Sequence, residues 1–569
     1  MTAVTTEEYV DERLPQTYPE GYWALRKTPA HGQFRQARDL LLRYRGDHDT
    51  AYRQFRWPRL SEFNWALEWF DVIAEGNDTP ALSLLDRHSG AHDISFGQMS
   101  ARSDTVAVWL SRLGVCRGQH VLIALAQQAE LWECLLACLK IGAVVIPTYP
   151  ELTGVEAADR VKRGRIEHII CRADQAEVFT DLESVRTRIA VPGDLDGWID
   201  YRDSLAVTDR FVPEHPTGAR DVAFCYFTSG TTSAPKLVAH THTSYPVGHL
   251  SSLYWNGLVP GDRHLNVSTP GWAKHSWSSF FVPWNAEATI LALPPGPAPY
   301  TRLPELLATH HATTVCAPPS VWRAMSPHLH LATPALREAL SAGEPLDPQL
   351  AARVAQHWGV RVRDGYGQTE TTGLVGTTPS LPSRPGWLGK ALPGYRIEVR
   401  EPDTGERLRA GEVGEICVEL ADAPVGMTTG YLGDAQRTQH ALGDGHYGTG
   451  DLGERDEHGW IRVHGRHDDM FKVFDHRVSP YELEAVLRRH LAVAEAAVVP
   501  RPHPLAGNAP HAVVVTAAGH EPGPELAEVL LDHVAHHVTD ALRVRSLEFT
   551  QALPYTASGK LRRSVLCAD

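Results

Sequence analysis

Apolar positions along this chain fall in short runs separated by helix-period stretches, the rhythm of an α/β protein. His120 to Ala124 (HVLIA) predicts a strand, and Ala129 to Lys140 carries a continuous apolar face at helical spacing. Ala143 to Pro147 (AVVIP) and Ile166 to Cys171 (IEHIIC) predict further buried strands. Strand–helix–strand spacing of this kind predicts parallel sheet with crossover helices. Val222 to Phe227 is apolar without alternation and predicts a strand buried on both faces. His264 to Val267, Ala288 to Leu293 and Thr313 to Cys316 continue the series. Before all of these, residues 1 to about 60 form a polar arm dotted with aromatics and without strand periodicity.

The texture changes twice downstream. From about Pro385 the chain reads as strands and turns without long helices, with Asp403-Thr404-Gly405 as a hairpin turn. Near the end, Ser479-Pro480-Tyr481-Glu482 predicts a capping box with proline at the first helical position, starting a helix to about His490. Strands near Ala496 to Val499 and Ala512 to Val515 follow, then a helix from about Pro524 to Leu542. These shifts divide the chain into an N-terminal domain, 1–466, with a β subdomain at about 385–440, and a C-terminal domain, 467–569.

Composition narrows the function classes. A chain of 569 residues exceeds one ordinary core, and 43% hydrophobic with 21% charged residues is a globular composition. A net charge of −14 argues against nucleic acid or an anionic membrane as the main partner. The stretch Leu131 to Pro147 is interrupted by Lys140 and is short for a membrane span. The polar, acidic start is unlike a targeting peptide, and the eight scattered cysteines read as reduced packing residues, so a cytoplasmic location is expected. Among thirty histidines none has ligand spacing with a cysteine or carboxylate, and His310–His311 and His536–His537 are expected to be solvated.

Four stretches carry chemistry. Thr228, Ser229, Gly230, Thr231, Thr232 and on to Lys236 form a hydroxyl-rich loop that closes on a lysine. Backbone N–H groups, hydroxyls and one ammonium fit a phosphate-binding loop; a polar hairpin turn is the alternative. It is not the Walker pattern, because the lysine follows proline. In Asp364-Gly365-Tyr366-Gly367-Gln368-Thr369-Glu370 a ring beside two glycines suits stacking on a base, and Glu370 offers a hard oxygen to Mg²⁺. Gly343-Glu344-Pro345 suits a turn around the base edge. Asp451, closing Tyr447-Gly448-Thr449-Gly450, with Arg466 downstream, suits the ribose hydroxyls. Lys560 stands on a terminal turn, Thr556-Ala557-Ser558-Gly559. The segment PGWAKHSWSSFFVPW, with Trp272, Lys274 and His275, reads either as the lining of an apolar substrate pocket or as core.

In order, spacing and wording these motifs resemble the adenylate-forming superfamily of acyl-CoA synthetases, peptide-synthetase adenylation domains and luciferases. YFTSGTTSAPK, DGYGQTET, TGDLGERDEHGWIRVHGRHDD and TASGK are most similar to the medium-chain acyl-CoA synthetase branch, and the likeness runs from about Phe63 to Leu566. The resemblance implies a large multi-layer α/β N-terminal domain with parallel-type sheets, and a small mobile α+β C-terminal domain hinged at Asp468. It implies an enzyme that uses ATP with Mg²⁺ to turn an acid into an acyl-adenylate. By the same resemblance Thr228 to Lys236 hold the outer phosphates, Gly343 to Pro345 and Asp364 to Tyr366 frame adenine, and Thr369 and Glu370 meet the α-phosphate and Mg²⁺. Asp451 and Arg466 hold ribose, Lys560 bridges acid and α-phosphate, and Arg477 approaches nucleotide or substrate. Gly367 joins Trp272, Lys274 and His275 in the acid pocket.

The chain departs from its relatives after the hinge. A small-residue triplet that leaves room for the CoA arm is replaced by Phe474, Asp475 and His476, and cations that would meet CoA phosphates fall on Ala506 and Ala535. Arg543 and Arg545 remain nearby. Two readings stay open: a ligase that delivers an aromatic or medium-sized acid to CoA or to another acceptor, such as a carrier-protein thiol or an amine, or an ATP-dependent diazotase that joins nitrite to an aryl amine. In the second, Asp475 or His476 takes the amine's protons and Lys472 is a further candidate. A silent nucleotide-binding protein is the remote third reading.

Overall fold

The structure, a computed structural model, describes residues 21–86, 90–180, 182–228, 235–294, 300–473, 476–503, 506–539, 542–555 and 561–567. The chain folds into two compact units. Of the described residues, the larger holds those of 21–228, Pro235–Tyr395 and Leu420–Gly445, and the smaller those of Arg396–Glu419 and 446–567.

The larger unit holds two sheets. One is eight-stranded and runs, in spatial order, Gly430–Tyr431, Lys236–Thr241, Val222–Thr228, Val144–Pro147, His120–Ala124, His168–Arg172, Thr187–Val191 and Ile199–Asp200. The middle pairs are parallel, as the alternation of apolar runs and helices predicts, whereas Val222–Thr228 and Lys236–Thr241 form an antiparallel hairpin. The second has a parallel centre: Thr289–Ala292, Arg263–Asn266, Thr314–Cys316, Glu338–Ala342 and Val362–Gly367. Strands of both sheets are buried on both faces, which is why they read as unbroken apolar runs rather than alternating ones. Of the free cysteines, Cys134, Cys138, Cys171, Cys225, Cys316 and Cys417 are buried, as packing residues should be, whereas Cys116 and Cys567 are exposed and depart from that reading.

The N-terminal arm is folded where the sequence reading assigned no element. Pro29–Arg43 is a helix, capped by the Thr28 side chain with proline in its first turn. Phe34 sits edge-on to Trp69, ring centroids 4.8 Å apart, and stacks on Phe63. Lys140, which broke the apolar stretch, ends up completely buried. Its ammonium lies 2.8 Å from Asp71 and 2.7 Å from Asp104, both also fully buried. Arg26 pairs with Asp71 at 3.0 Å and the Tyr22 hydroxyl donates to Asp104, so the arm is anchored by charge as well as by rings.

The aromatic segment after Gly271 divides. Phe280, Phe281 and Trp284 are core, packed on Trp65 and Phe70, while Trp272, Lys274 and Trp277 stay half-buried. His310 corrects the expectation of a solvated pair: it is buried, and its carbonyl accepts from Arg263 at 2.9 Å.

The smaller unit begins with an antiparallel meander of Ile397–Arg400, Val413–Glu419, His446–Arg455 and Trp460–Arg466. The Asp403–Gly405 turn lies between its first two strands, with Gly405 at φ 69°. Beyond it stand the pair Phe471–Val473 and His476–Val478, then a sheet of Val493–His503, Gly507–Thr516 and Ser546–Phe549. Helices Pro480–Leu487 and Pro524–Ala535 pack their apolar faces on that sheet through Leu483, Leu487, Leu530 and Val534. The second ends earlier than periodicity predicts, because Val538 and Thr539 are β-branched and follow two histidines, all weak helix formers. Only half of the predicted capping box forms. Ser479 accepts from the Glu482 amide at 3.4 Å, but the Glu482 carboxylate is taken by His464 Nδ1 at 2.9 Å.

Candidate active site

Ligands of open parallel sheets bind beyond the carboxyl ends of the strands, and the predicted residues of the larger unit gather there. The Val222–Thr228 hairpin pairs Thr228 with Lys236. The residues between them, with Ser229, Gly230, Thr231 and Thr232, lie outside the described residues. The Lys236 ammonium stands 3.9 Å from Glu370 Oε1 and 5.0 Å from the centre of the Tyr431 ring. The Tyr431 hydroxyl donates to the same Glu370 oxygen at 3.1 Å. Glu370 is 8% exposed, so a single carboxylate oxygen is fixed between a cation and a phenol at the mouth of the hairpin. Burial and that carboxylate push the Tyr431 phenol well above its ordinary value, so it is a donor throughout the working pH range.

The loop behind Glu370 is held by groups that the motif reading did not single out. His240 Nε2 donates to the Thr369 carbonyl at 2.7 Å, and its Nδ1 lies 3.0 Å from Ser244 Oγ. Burial lowers this histidine to about 4, so it stays neutral and its Nε2–H is available. The Glu370 carbonyl accepts from the Thr428 amide at 2.7 Å.

At the base end, Ala342 pairs with Gly365 and Gly343 follows at φ 104°, a backbone geometry that favours glycine. A Cβ on Gly365 would stand 2.2 Å from the Trp255 indole, and one on Gly367 would stand 2.3 Å from the Thr372 carbonyl oxygen. These glycines are therefore required by the protein's own packing, a reason distinct from the approach to a base that the sequence suggested. Trp255 Nε1 also donates to the Asp364 carbonyl at 3.0 Å. Desolvation raises the Asp364 carboxyl to about 7, against the pull of the Gly365 and Leu346 amides and of Lys274. Tyr366 is half-buried, its hydroxyl accepting from Gln368 at 3.3 Å. Glu344 turns its carboxylate to Ser320 (3.2 Å) and Arg323 (3.5 Å), with Pro345 next in the turn.

The acid-pocket candidates sit on one short helix, Ala273–Ser276. Lys274 Nζ donates to the Ala342 carbonyl at 3.4 Å, next to Gly343. His275 is 2% exposed, its ring 5.8 Å from that of Trp132, and burial lowers it to about 3. Trp272 faces Tyr149 edge-on at 6.4 Å.

The smaller unit brings together the predicted ribose pair. Asp451 and Arg466 are register partners, with Arg466 Nη1 3.4 Å from Asp451 Oδ1 and 2.9 Å from the Thr449 carbonyl. Gly450 has φ 72°, and a Cβ there would meet Arg466 Nη2 at 2.8 Å. Asp468 lies in a single 3-10 turn, His467–Asp469, and Lys472 is exposed in the strand that follows. Ala506 is buried in the unit's core, where a lysine head would be cut off from solvent. Asp475, Lys560 and the side chains of His476 and Arg477 lie outside the described residues.

Among the described residues no cluster of three or more metal-ligating side chains occurs. One carboxylate nevertheless fits Mg²⁺ that arrives on phosphates, since that ion keeps waters and takes one or two protein oxygens. No helix of the described residues is long and apolar enough to cross a membrane.

A family profile described as AMP-binding enzyme matches residues 70–432, and one described as AMP-binding enzyme C-terminal domain matches 482–560. The chain is 35% identical over 513 residues to 4-hydroxybutyrate–CoA ligase 1 of Metallosphaera sedula, covering 89% of this chain and 90% of the relative. It is 30% identical over 538 residues to the mitochondrial acyl-coenzyme A synthetase ACSM3 of Rattus norvegicus, covering 91% and 93%. In fold it is similar to the anthranilate CoA ligase AuaEII, solved in complex with anthranoyl-AMP, with TM-score 0.79, 24% identity, and 89% and 97% of the two chains covered.

Proposed function

The chain belongs to the AMP-binding enzyme family, and from that premise we propose that it activates an aromatic or medium-sized carboxylic acid with ATP and passes the acyl group to a thiol, of CoA or of a carrier protein. Its relatives include a 4-hydroxybutyrate–CoA ligase and an acyl-coenzyme A synthetase, which supports an AMP-forming ligase. The observation that carries the reading in this chain is the Lys236–Tyr431–Glu370 cluster at the end of the hairpin.

A carboxylate is a poor acyl donor because its leaving group would be oxide. In the first step an acid oxygen attacks the α-phosphorus of ATP; a P–O bond forms, the bond to the β-phosphate oxygen breaks, and pyrophosphate leaves. In the second a thiol attacks the carbonyl carbon, a C–S bond forms, the C–O bond to AMP breaks, and the thiol proton passes to solvent. Two anions must meet in the first step, so positioning and charge neutralisation carry most of the rate. Lys236 meets the outer phosphates, and Glu370, oriented by Tyr431, offers the oxygen that would hold Mg²⁺. That ion, when bound, neutralises phosphate charge. Gly343 to Pro345 and Asp364 to Tyr366 frame adenine, and Asp451 and Arg466 hold the ribose hydroxyls. Thr369 and Lys560 meet the α-phosphate, Lys560 also holding the acid oxygen.

One observation favours a second reading. Ala506, where a CoA-phosphate cation is expected, is apolar and buried. An enzyme without that cation suits a small acceptor: a nitrite oxygen attacks the α-phosphorus and pyrophosphate leaves, then an aryl amine takes the nitroso group, its N–N bond forming as the N–O bond to AMP breaks. AMP release measured across acids and nitrite, with and without CoA and an aryl amine, separates the two. The ligase reading expects acid-dependent pyrophosphate release that falls about 10²–10³-fold in Lys560→Ala. AMP formed only with nitrite overturns it in favour of the diazotase, and ATP consumed to ADP overturns both.

A further inference from the structure

The acid end of the larger unit carries buried polar atoms that the chain itself leaves unsatisfied. Thr148 Oγ1, Asn266 Oδ1, Ser268 Oγ and His275 Nε2 are buried and, among the described residues, make no hydrogen bond. Each lies on, or against, the segment from Asn266 to Ser279. Thr148 follows the strand Val144–Pro147 of the eight-stranded sheet, while Asn266 ends the strand Arg263–Asn266 of the second sheet and Ser268 lies just beyond it, so each stands at a carboxyl end of its own sheet. A Cβ on Gly271 would meet the Thr148 carbonyl carbon at 2.4 Å, which brings Thr148 against the turn that opens the His275 helix. The Trp132 indole, 5.8 Å from the His275 ring, donates to the Ser279 carbonyl at 2.7 Å. Ser279 Oγ in turn accepts from Asn266 Nδ2 at 2.9 Å, which leaves the amide oxygen of Asn266 unused. Lys274 ties the same helix to Ala342, at the edge of the base-framing turn.

Folded proteins leave few buried polar atoms unpaired, because each forfeits the hydrogen bonds it made to water. Several around a single turn mark a place where something else supplies the partners. The set is informative in kind. Two hydroxyls both give and accept, the Asn266 oxygen only accepts, and His275 is neutral because burial lowers it to about 3. No charged group is among the four, and Lys274 on the same short helix turns its ammonium to the Ala342 carbonyl, so a second carboxylate or an ammonium would find no charged partner in this set, at a cost far above that of an uncharged group. The rings of Trp132, Tyr149 and Trp272 supply an apolar frame around them.

We propose that the acid activated here carries an uncharged hydroxyl or amino substituent, read by Thr148, Asn266, Ser268 and His275. The proposal rests on the adenylation reading above and names its substrate class. A site built to hydrogen-bond a substrate group rejects the analogue that lacks it more strongly than a greasy pocket rejects one methylene.

The test is ATP–pyrophosphate exchange on matched acids: benzoate against its hydroxy- and amino-derivatives and its dicarboxylate, and hexanoate against 6-hydroxyhexanoate and adipate. The best hydroxy- or amino-acid is expected to exceed its parent in kcat/KM by about tenfold or more, with the dicarboxylates poorest. Thr148→Val, Ser268→Ala and His275→Phe are each expected to lower that ratio about threefold or more. The first two remove only an unpartnered hydroxyl, so they keep the test alive should His275→Phe fail to fold. A parent acid used as well as its substituted partners, or a ratio unmoved in all three variants, overturns this proposal and leaves adenylation standing. Silence with every acid overturns the adenylation reading and this proposal with it.

Discussion

Tyr431→Phe isolates one hydrogen bond at the phosphate end of the site. The substitution removes the hydroxyl that donates to Glu370 Oε1 at 3.1 Å and keeps the ring that stands 5.0 Å from Lys236. A hydrogen bond to a charged group contributes about 1.5–3 kcal/mol. Glu370 keeps Lys236 at 3.9 Å after the change, which places the expected loss near the lower end. About 1.5–2 kcal/mol corresponds to a roughly tenfold to thirtyfold fall in kcat/KM for Mg·ATP. The assay is ATP–pyrophosphate exchange titrated separately in Mg·ATP and in acid. Because Glu370 is argued to meet the metal-bound phosphates, the Mg·ATP titration should shift and the acid titration should hold. A change under about twofold, or one confined to the acid's KM, refutes the role given to this pair.

Two further predictions concern the fold that carries the site. Lys140→Met strips the ammonium from fully buried Asp71 and Asp104, which should destabilise the larger unit by about 3–5 kcal/mol in urea unfolding. Asp104 is already held above the ordinary carboxylate value by burial, with Lys140 the main opposing influence. Without Lys140 the folded state holds its proton more firmly than the unfolded state does, so the deficit should shrink as pH falls and widen as it rises. Wild-type stability should respond in the opposite sense through its histidines. Burial lowers His48, His240, His242 and His264 to about 4 and His275 to about 3, against 6.5 when unfolded. Between about pH 6.5 and 4 the unfolded chain binds protons that the native one refuses, so each histidine removes about 1.4 kcal/mol per pH unit, while the Asp364 carboxyl, raised to about 7, acts in the other direction and offsets one of the five. A urea midpoint that is flat from pH 7 to 5 would contradict that burial.

Much of this protein was legible locally. Strand and helix periods repeat every two or 3.6 residues, so the alternation from His120 to Phe227 declared its parallel strands and crossover helices without any tertiary information. The motifs were equally local: the hydroxyl loop before Lys236, the Asp364–Glu370 run and the Asp451/Arg466 spacing each fit within one hairpin or one strand pair. Residues far apart in sequence were not legible, because their meaning is a contact. Nothing in the neighbourhood of Tyr431 announces that it orients Glu370, 61 positions away. Lys140 read as a flaw in an apolar helix until Asp71 and Asp104 closed on it. Gly365 read as part of a stacking platform for a base, whereas Trp255 stands where its Cβ would be. Above all, four ordinary polar residues become a candidate recognition surface only once their partners are counted in three dimensions, since desolvation is decided by everything that packs around an atom and not by its neighbours in the chain.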